Sequence, residues 1–160
     1  MNVSDLVAEV ITGPVTKRAI TNHSVLNEAN AYGSAFSRGM RIDLKALTIL
    51  LISGTASIDD QGNTVHVGDL RAQLRRTFDN ITGLLASEGA TWHDVVRTTC
   101  YLRDIERDYK EFNEERAAFY KEQGLDPLPA STGIQAILCR PDLLVEIEAI
   151  AMFRRESSGE

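Results

Sequence analysis

Sulfur, imidazole and positive charge are all scarce in this chain, and each scarcity removes a class of chemistry. Two cysteines occur, Cys100 and Cys139, with no pattern that pairs them. Cys100 alternates with Val96, Thr98 and Leu102, the setting of a small buried hydrophobe rather than of a nucleophile. The three histidines, His23, His66 and His93, lie far apart. They lack the short spacings of metal ligands, and no metal or cofactor is expected. His66 and His93 stand in turn-like contexts and read as surface residues. Basic residues are outnumbered, 17 against 23 acidic, for a net charge of −6. That balance opposes a nucleic-acid partner held through its phosphates, and Arg71, Arg75 and Arg76 read as one solvated helix face. Long apolar runs are missing too. The longest, Ala46 to Ser53, has eight residues, where a bilayer span needs about 20. The N-terminal stretch carries Asp5 and Glu9 and no positively charged region, so no signal peptide is expected and the chain reads as cytoplasmic.

What is present suits one soluble domain. At 160 residues, 43% hydrophobic and 25% charged, the chain can bury a single ordinary core. Residues 1–14 read as an accessory segment, with Ser4 capping a short helix over Leu6 to Ile11 and Gly13-Pro14 stopping it. The domain proper runs over residues 15–155, and 156–160 read as a disordered tail. Val15 to Ile20 reads as a short strand, Tyr32 to Ile42 alternates loosely, and Ala46 to Ser53 is a buried strand ending at Ser53-Gly54. Asp59 to Asn63 is a turn signal between Ala56–Ile58 and Thr64–Val67.

The spacing then predicts a helix from Asp69 to Glu88. Asp69 is its N-cap, Leu70, Leu74, Phe78, Ile81, Leu84 and Leu85 form its apolar stripe, and Gly89 is its left-handed stop. A strand follows over Val95 to Leu102, with Val96, Thr98, Cys100 and Leu102 on one face and Arg97, Thr99, Tyr101 and Arg103 on the other. A second helix over Ile105 to Gln123 turns Ile105, Tyr109, Phe112, Phe119 and Tyr120 inward. Two strands near Ser131 to Ala136 and Leu143 to Phe153 close the chain. This order gives a two-layer α+β domain, a mixed sheet with two long helices on one face. The other face still carries apolar and hydroxyl residues, which calls for a second copy to cover it.

The closing strand holds the most chemical signal. In Leu144-Val145-Glu146-Ile147-Glu148-Ala149, two carboxylates two residues apart fall on one face of an otherwise apolar strand. A glutamate so placed pairs with a cation, faces solvent, or has its pKa raised for acid–base work. Upstream, Pro129-Ala130-Ser131-Thr132-Gly133 supplies small residues that can line a pocket. No histidine and acid accompany Ser131 at a spacing that would make it a nucleophile.

These stretches resemble the RidA (YjgF-type) family over about Tyr32 to Arg154. Tyr32, Ser53-Gly54, Gln73 to Leu84, Asp94 to Asp104, Phe112-Asn113 and Val145 to Ala151 match its motifs in order and spacing. The resemblance implies a chorismate-mutase-like fold and a homotrimer with small-molecule clefts between subunits. It also implies hydrolysis of enamines or imines by water that Glu146 activates. Counting back from Glu146, the family's substrate-binding arginine falls on Ser131. The carboxylate clamp of a 2-imino acid is therefore absent, and the substrate is altered. Ser53 to Ile58 also looks like the chorismatases, which hydrolyse an enol ether. Candidate substrate contacts are Tyr32, Ser53, Gly54, Asn113, Ser131 and Thr132. Arg103, at the end of the central strand, is the preferred replacement cation, with Arg38, Arg41 and Arg140 the others. Glu148 reads as a structural partner of an arginine. The alternative to an enzyme is a non-catalytic trimer that binds a metabolite or a protein in the same clefts.

Overall fold

Alternation along the last strand sets the architecture. In β6 (Val145–Arg154), Val145, Ile147, Ala149 and Ala151 are buried, while Glu146, Glu148, Ile150 and Met152 turn to the opposite face. The computed structural model describes residues 4–5 and 13–154. Besides β6 it contains β1 (Thr16–Ala19), β2 (Gly39–Asp43), β3 (Leu47–Ala56), β4 (Val95–Leu102) and β5 (Ala130–Gln135), in one sheet ordered β1-β2-β3-β6-β4-β5. Every neighbouring pair is antiparallel except β4 and β5. Helices α1 (Leu70–Ser87) and α2 (Ile105–Glu122) cover one face. This is the two-layer α+β arrangement that the sequence calls for. Among the described residues no helix is long and apolar enough to cross a membrane.

The helices begin where their caps dictate. The Asp69 carboxylate accepts from Ala72 N at 3.0 Å, and Asp104 accepts from Arg107 N at 3.0 Å. Each of these bonds satisfies one orphan donor of a first turn. Helix α1 stops before Gly89, whose φ of +75° is open to glycine at no steric cost. Between the helices and the sheet, Phe78 stacks on Phe119 with centroids 4.3 Å apart, and Trp92 meets both edge-on. Fully burying one such ring is worth about 1.5–3 kcal/mol. Two buried amides tie α1 to the loops beside β6. Gln73 donates to Asp142 O and accepts from Leu144 N, both at 2.8 Å, and Asn80 donates to the carbonyls of Ala56 and Ile58.

The structure corrects several local readings. Val96 does not share the buried face of β4. A β-bulge between Val95 and Arg97 leaves it 43% exposed, and Val95 is buried instead. Tyr109 lies at the margin of the α2 stripe and is half exposed. The strand containing Ser53-Gly54 does not end there; a register shift between Ile52 and Thr55 bulges it, and pairing with β6 resumes to Ala56. Around the Asp59–Asn63 turn the flanking segments are joined by an isolated antiparallel bridge, Ile58 to Thr64. Arg71 and Arg75 are not merely solvated. They reach from α1 to Glu111, Glu114, Glu115 and Glu122 of α2. The expected helix over Leu6 to Ile11 and the tail 156–160 lie outside the described residues.

The uncovered face is apolar across three strands. Register places Met40, Leu51 and Ile150 in one row and Ile42, Ile49 and Met152 in the next. Leu51 and Met152 are about two-fifths exposed, at 39% and 41%.

Candidate functional site

The bulge at Ser53-Gly54 opens the backbone of β3 toward Glu146. Glu146 pairs in register with Ala56 on one side and Tyr101 of β4 on the other. Its Oε1 lies so close to Gly54 that a Cβ there would meet it at 2.1 Å. Only a residue without a side chain admits this approach. The carboxyl is half-buried, and its pKa is raised, first by burial and then by the charge of Glu148. Among the described residues the Glu146 carboxyl forms no ion pair and accepts no hydrogen bond. A paired carboxylate would be shifted the other way.

Glu146 and Gly54 line a cleft of about 120 Å³ with Tyr32, Phe36, Arg38, Cys139 and Arg140. Two guanidiniums lie over the Tyr32 ring, with Arg38 Cζ 5.3 Å and Arg140 Cζ 5.4 Å from its centroid. Arg38 is buried, and Asn27 holds it through its carbonyl at 2.8 Å and its side chain at 3.1 Å. Ser53 lines a neighbouring hollow of about 330 Å³ on the uncovered face, with Phe36, Leu51 and Glu148. The Ser53 hydroxyl donates to Ser37 O at 2.7 Å. Glu148 does not meet an arginine among the described residues. It accepts from the Tyr101 hydroxyl at 3.1 Å, and burial together with this carboxylate raises the tyrosine pKa.

The remaining candidates lie elsewhere. Arg103 donates to the carbonyls of Leu143, Leu138 and Arg140 at 2.6, 3.4 and 2.5 Å. It is a clamp on the β5–β6 connection and does not line the cleft. Asn113 and Ser131 meet through Arg116, whose guanidinium donates to Asn113 Oδ1 at 2.6 Å and to Ser131 Oγ at 3.0 Å. Thr132 accepts from Arg97 at 2.7 Å. Ser131 pairs with Thr98, which pairs with Ala149, three residues along β6 from Glu146. Two strand spacings and three residue rises separate the two Cα atoms by roughly 14 Å. Ser131 also faces the helices, whereas Glu146 faces away from them. Within one chain, then, Tyr32, Gly54 and Glu146 come together with Ser53 beside them, while Asn113, Ser131 and Thr132 gather at the β5 edge.

Sequence reasoning passed over Phe36, which lines both hollows, and ranked Arg140 behind Arg103. The Arg140-Pro141 turn was the available signal. Its direction depends on the carbonyls that Arg103 binds, and no spacing in the sequence reports these.

The model of the family described as endoribonuclease L-PSP matches residues 27–153. This chain belongs to that family. The 3-aminoacrylate deaminase RutC of Acinetobacter baylyi, a RutC family protein, is 35% identical over 107 residues, 67% of this chain and 81% of the relative. A RutC family protein of Pyrococcus horikoshii is 33% identical over 68% of this chain and 82% of its own. Among solved structures, the YjgF gene product of E. coli superposes with a TM-score of 0.69 at 25% identity, covering 84% of this chain and 97% of that one. E. coli TdcF with bound serine superposes with a TM-score of 0.69 at 22% identity, covering 87% and 99%. The L-PSP family thus supplies the YjgF-like fold described above.

Proposed function

We propose that this L-PSP family protein hydrolyses a small enamine, imine or enol ether, with Glu146 activating the water. The observation that carries this reading is the half-buried, unpaired Glu146 carboxyl, held with a raised pKa against Gly54 in a cleft. A carboxylate with a pKa closer to neutrality both accepts and returns a proton efficiently. On an imine, the Glu146 carboxylate takes a proton as the water oxygen bonds to the sp² carbon. The proton passes to nitrogen to give a carbinolamine, the same carboxylate then moves the hydroxyl proton to nitrogen, and the C–N bond breaks as the C=O forms and ammonia leaves. The naming of one relative as a 3-aminoacrylate deaminase supports this chemistry.

Ser131 stands where the family resemblance implies the substrate-binding arginine. The reading therefore excludes the usual bidentate clamp on a 2-imino acid from that position. The apolar rows Met40-Leu51-Ile150 and Ile42-Ile49-Met152 support a homotrimer that buries the uncovered face. Its clefts would then lie at or near the subunit boundaries. The acidic balance favours a small-molecule substrate over RNA, whatever the family's name.

Ammonia release from 3-aminoacrylate and from a panel of enamines tests the reading, with Glu146→Gln as the variant. Glutamine keeps the size of the side chain and removes the base, so turnover should fall about 10²-fold or more. A folded Glu146→Gln protein with full turnover would refute the role of Glu146. A wild-type protein that binds such compounds without consuming them would instead be the non-catalytic binding trimer.

A further inference from the structure

The proposed site lacks the family arginine, yet its cleft is not short of cations. Most guanidiniums among the described residues are spent on carboxylates or carbonyls. Arg41 is bound to Asp43 and Glu88, Arg107 to Asp104 and Asp108, and Arg103 to three carbonyls. Arg140 differs. Its Nη1 donates only to neutral acceptors, Gly62 O at 2.8 Å and Thr64 Oγ1 at 3.4 Å, and its charge meets no carboxylate among the described residues. Its guanidinium lies near the Tyr32 ring, 5.4 Å from the centroid, and lines the same cleft as Glu146.

We propose that Arg140 is the anion anchor of this cleft and sets its preference for substrates carrying a carboxylate next to the reacting sp² carbon. The inference rests on the functional reading above, and it moves the cation from β5 to the β5–β6 turn. Arg103 becomes a positioning residue, because its bond to Arg140 O at 2.5 Å fixes the turn from which Arg140 projects. Arg38 shares the cleft, but Asn27 already holds two of its donors, so it contributes field more than contact.

The test compares crotonate, a stable unsaturated carboxylate, with crotonamide, its neutral isostere, by NMR titration of the purified protein. One charge-assisted hydrogen bond corresponds to about 10- to 100-fold in affinity. Wild-type protein should therefore prefer crotonate about tenfold or more. Arg140→Gln should lose that preference with crotonamide binding unchanged, and Arg140→Lys should recover part of it. Arg116→Gln, altered at the β5 edge, should keep it. Because Arg140 also holds Gly62 and Thr64, its loss can loosen the turn. The Arg140 Nε–Hε resonance of the wild-type protein supplies a readout that needs no variant, and it should shift with crotonate and stay put with crotonamide. The proposal is overturned by an absent wild-type preference, an unmoved Arg140 resonance, a preference that survives Arg140→Gln, or one lost in Arg116→Gln instead. Glu146→Gln separates the two readings, since it should lower turnover while leaving the crotonate preference in place.

Discussion

Replacing Gly54 with alanine strikes the proposed site at one point and leaves the fold nearly untouched. The added Cβ would sit 2.1 Å from Glu146 Oε1 and 3.0 Å from the carboxyl carbon. Ordinary non-bonded contact begins near 3.4 Å, so the carboxylate must retreat by about 1.3 Å or more. It is the free end of a flexible side chain, and retreat costs little. Gly54 is not in the left-handed region, so alanine fits its backbone, and the smaller entropy of the unfolded chain offsets part of the strain by about 0.4–1 kcal/mol. The melting temperature should therefore move by only a few degrees. Activity should respond quite differently, because a displacement of about 1 Å in a catalytic group can cost 10²-fold.

The assay is ammonia release from an enamine turned over by the wild-type protein, with thermal melting alongside. The pH titration of the Glu146 side-chain carboxyl, followed by ¹³C NMR, reports the displacement independently of any substrate. Expected are a stable Gly54→Ala protein, turnover lower by about two orders of magnitude, and an altered Glu146 titration. Wild-type turnover with an unchanged titration would refute the claim that the bulge exists to admit this carboxylate. A collapse of stability would show that Gly54 matters for packing instead.

The other predictions concern pH and assembly. Burial and Glu148 hold the Glu146 carboxyl above the usual carboxylate range, so the folded state keeps this proton more tightly than the unfolded chain does. Its stabilisation is present in full below the unfolded pKa and is lost as pH rises through the folded one. Glu146→Gln should melt with the wild type near pH 4 and above it near pH 7.5, and the reverse order would contradict the raised pKa. Leu51→Asp puts a charge into the apolar row of the uncovered face, and light scattering should report smaller particles than for wild type. An unchanged mass would place the assembly surface elsewhere.

Much of this architecture is legible in the residue order, because local rules agree with the global fold. The α1 stripe, the Asp69 cap and the Gly89 stop each point to the same helix, and β4 is observed at the expected bounds. The Glu146 face also follows from simple alternation along β6. Pairing geometry is where the reading ends. Nothing in Val95-Val96-Arg97 announces the bulge that turns Val96 outward, and Ser53-Gly54, which reads as a strand end, is a bulge within β3. The fifteen-residue step from Ser131 to Glu146 suggests proximity, but two intervening pairings put the residues on opposite faces. Sequence position favours Arg103, at a strand end, over Arg140. The order reverses once the carbonyls of Leu138, Arg140 and Leu143 take up Arg103.

The charges around the cleft argue for a division of labour between its walls. Were either Arg38 or Arg140 in contact with Glu146, the carboxyl would be pulled below its ordinary range, and proton transfer near neutrality would become harder. It is instead raised, by burial first and by Glu148 second, with no arginine among the causes. The guanidiniums are held back by Asn27, Gly62, Thr64 and the Tyr32 ring, all neutral groups that leave their charge intact. On the proposed reading Arg140 supplies the cation of the cleft and Glu146 its proton acceptor. An anionic substrate would then turn its charged end to Arg140 and its sp² carbon toward Glu146. Gly54 serves the same end, because its missing side chain lets the Glu146 carboxyl rest against β3.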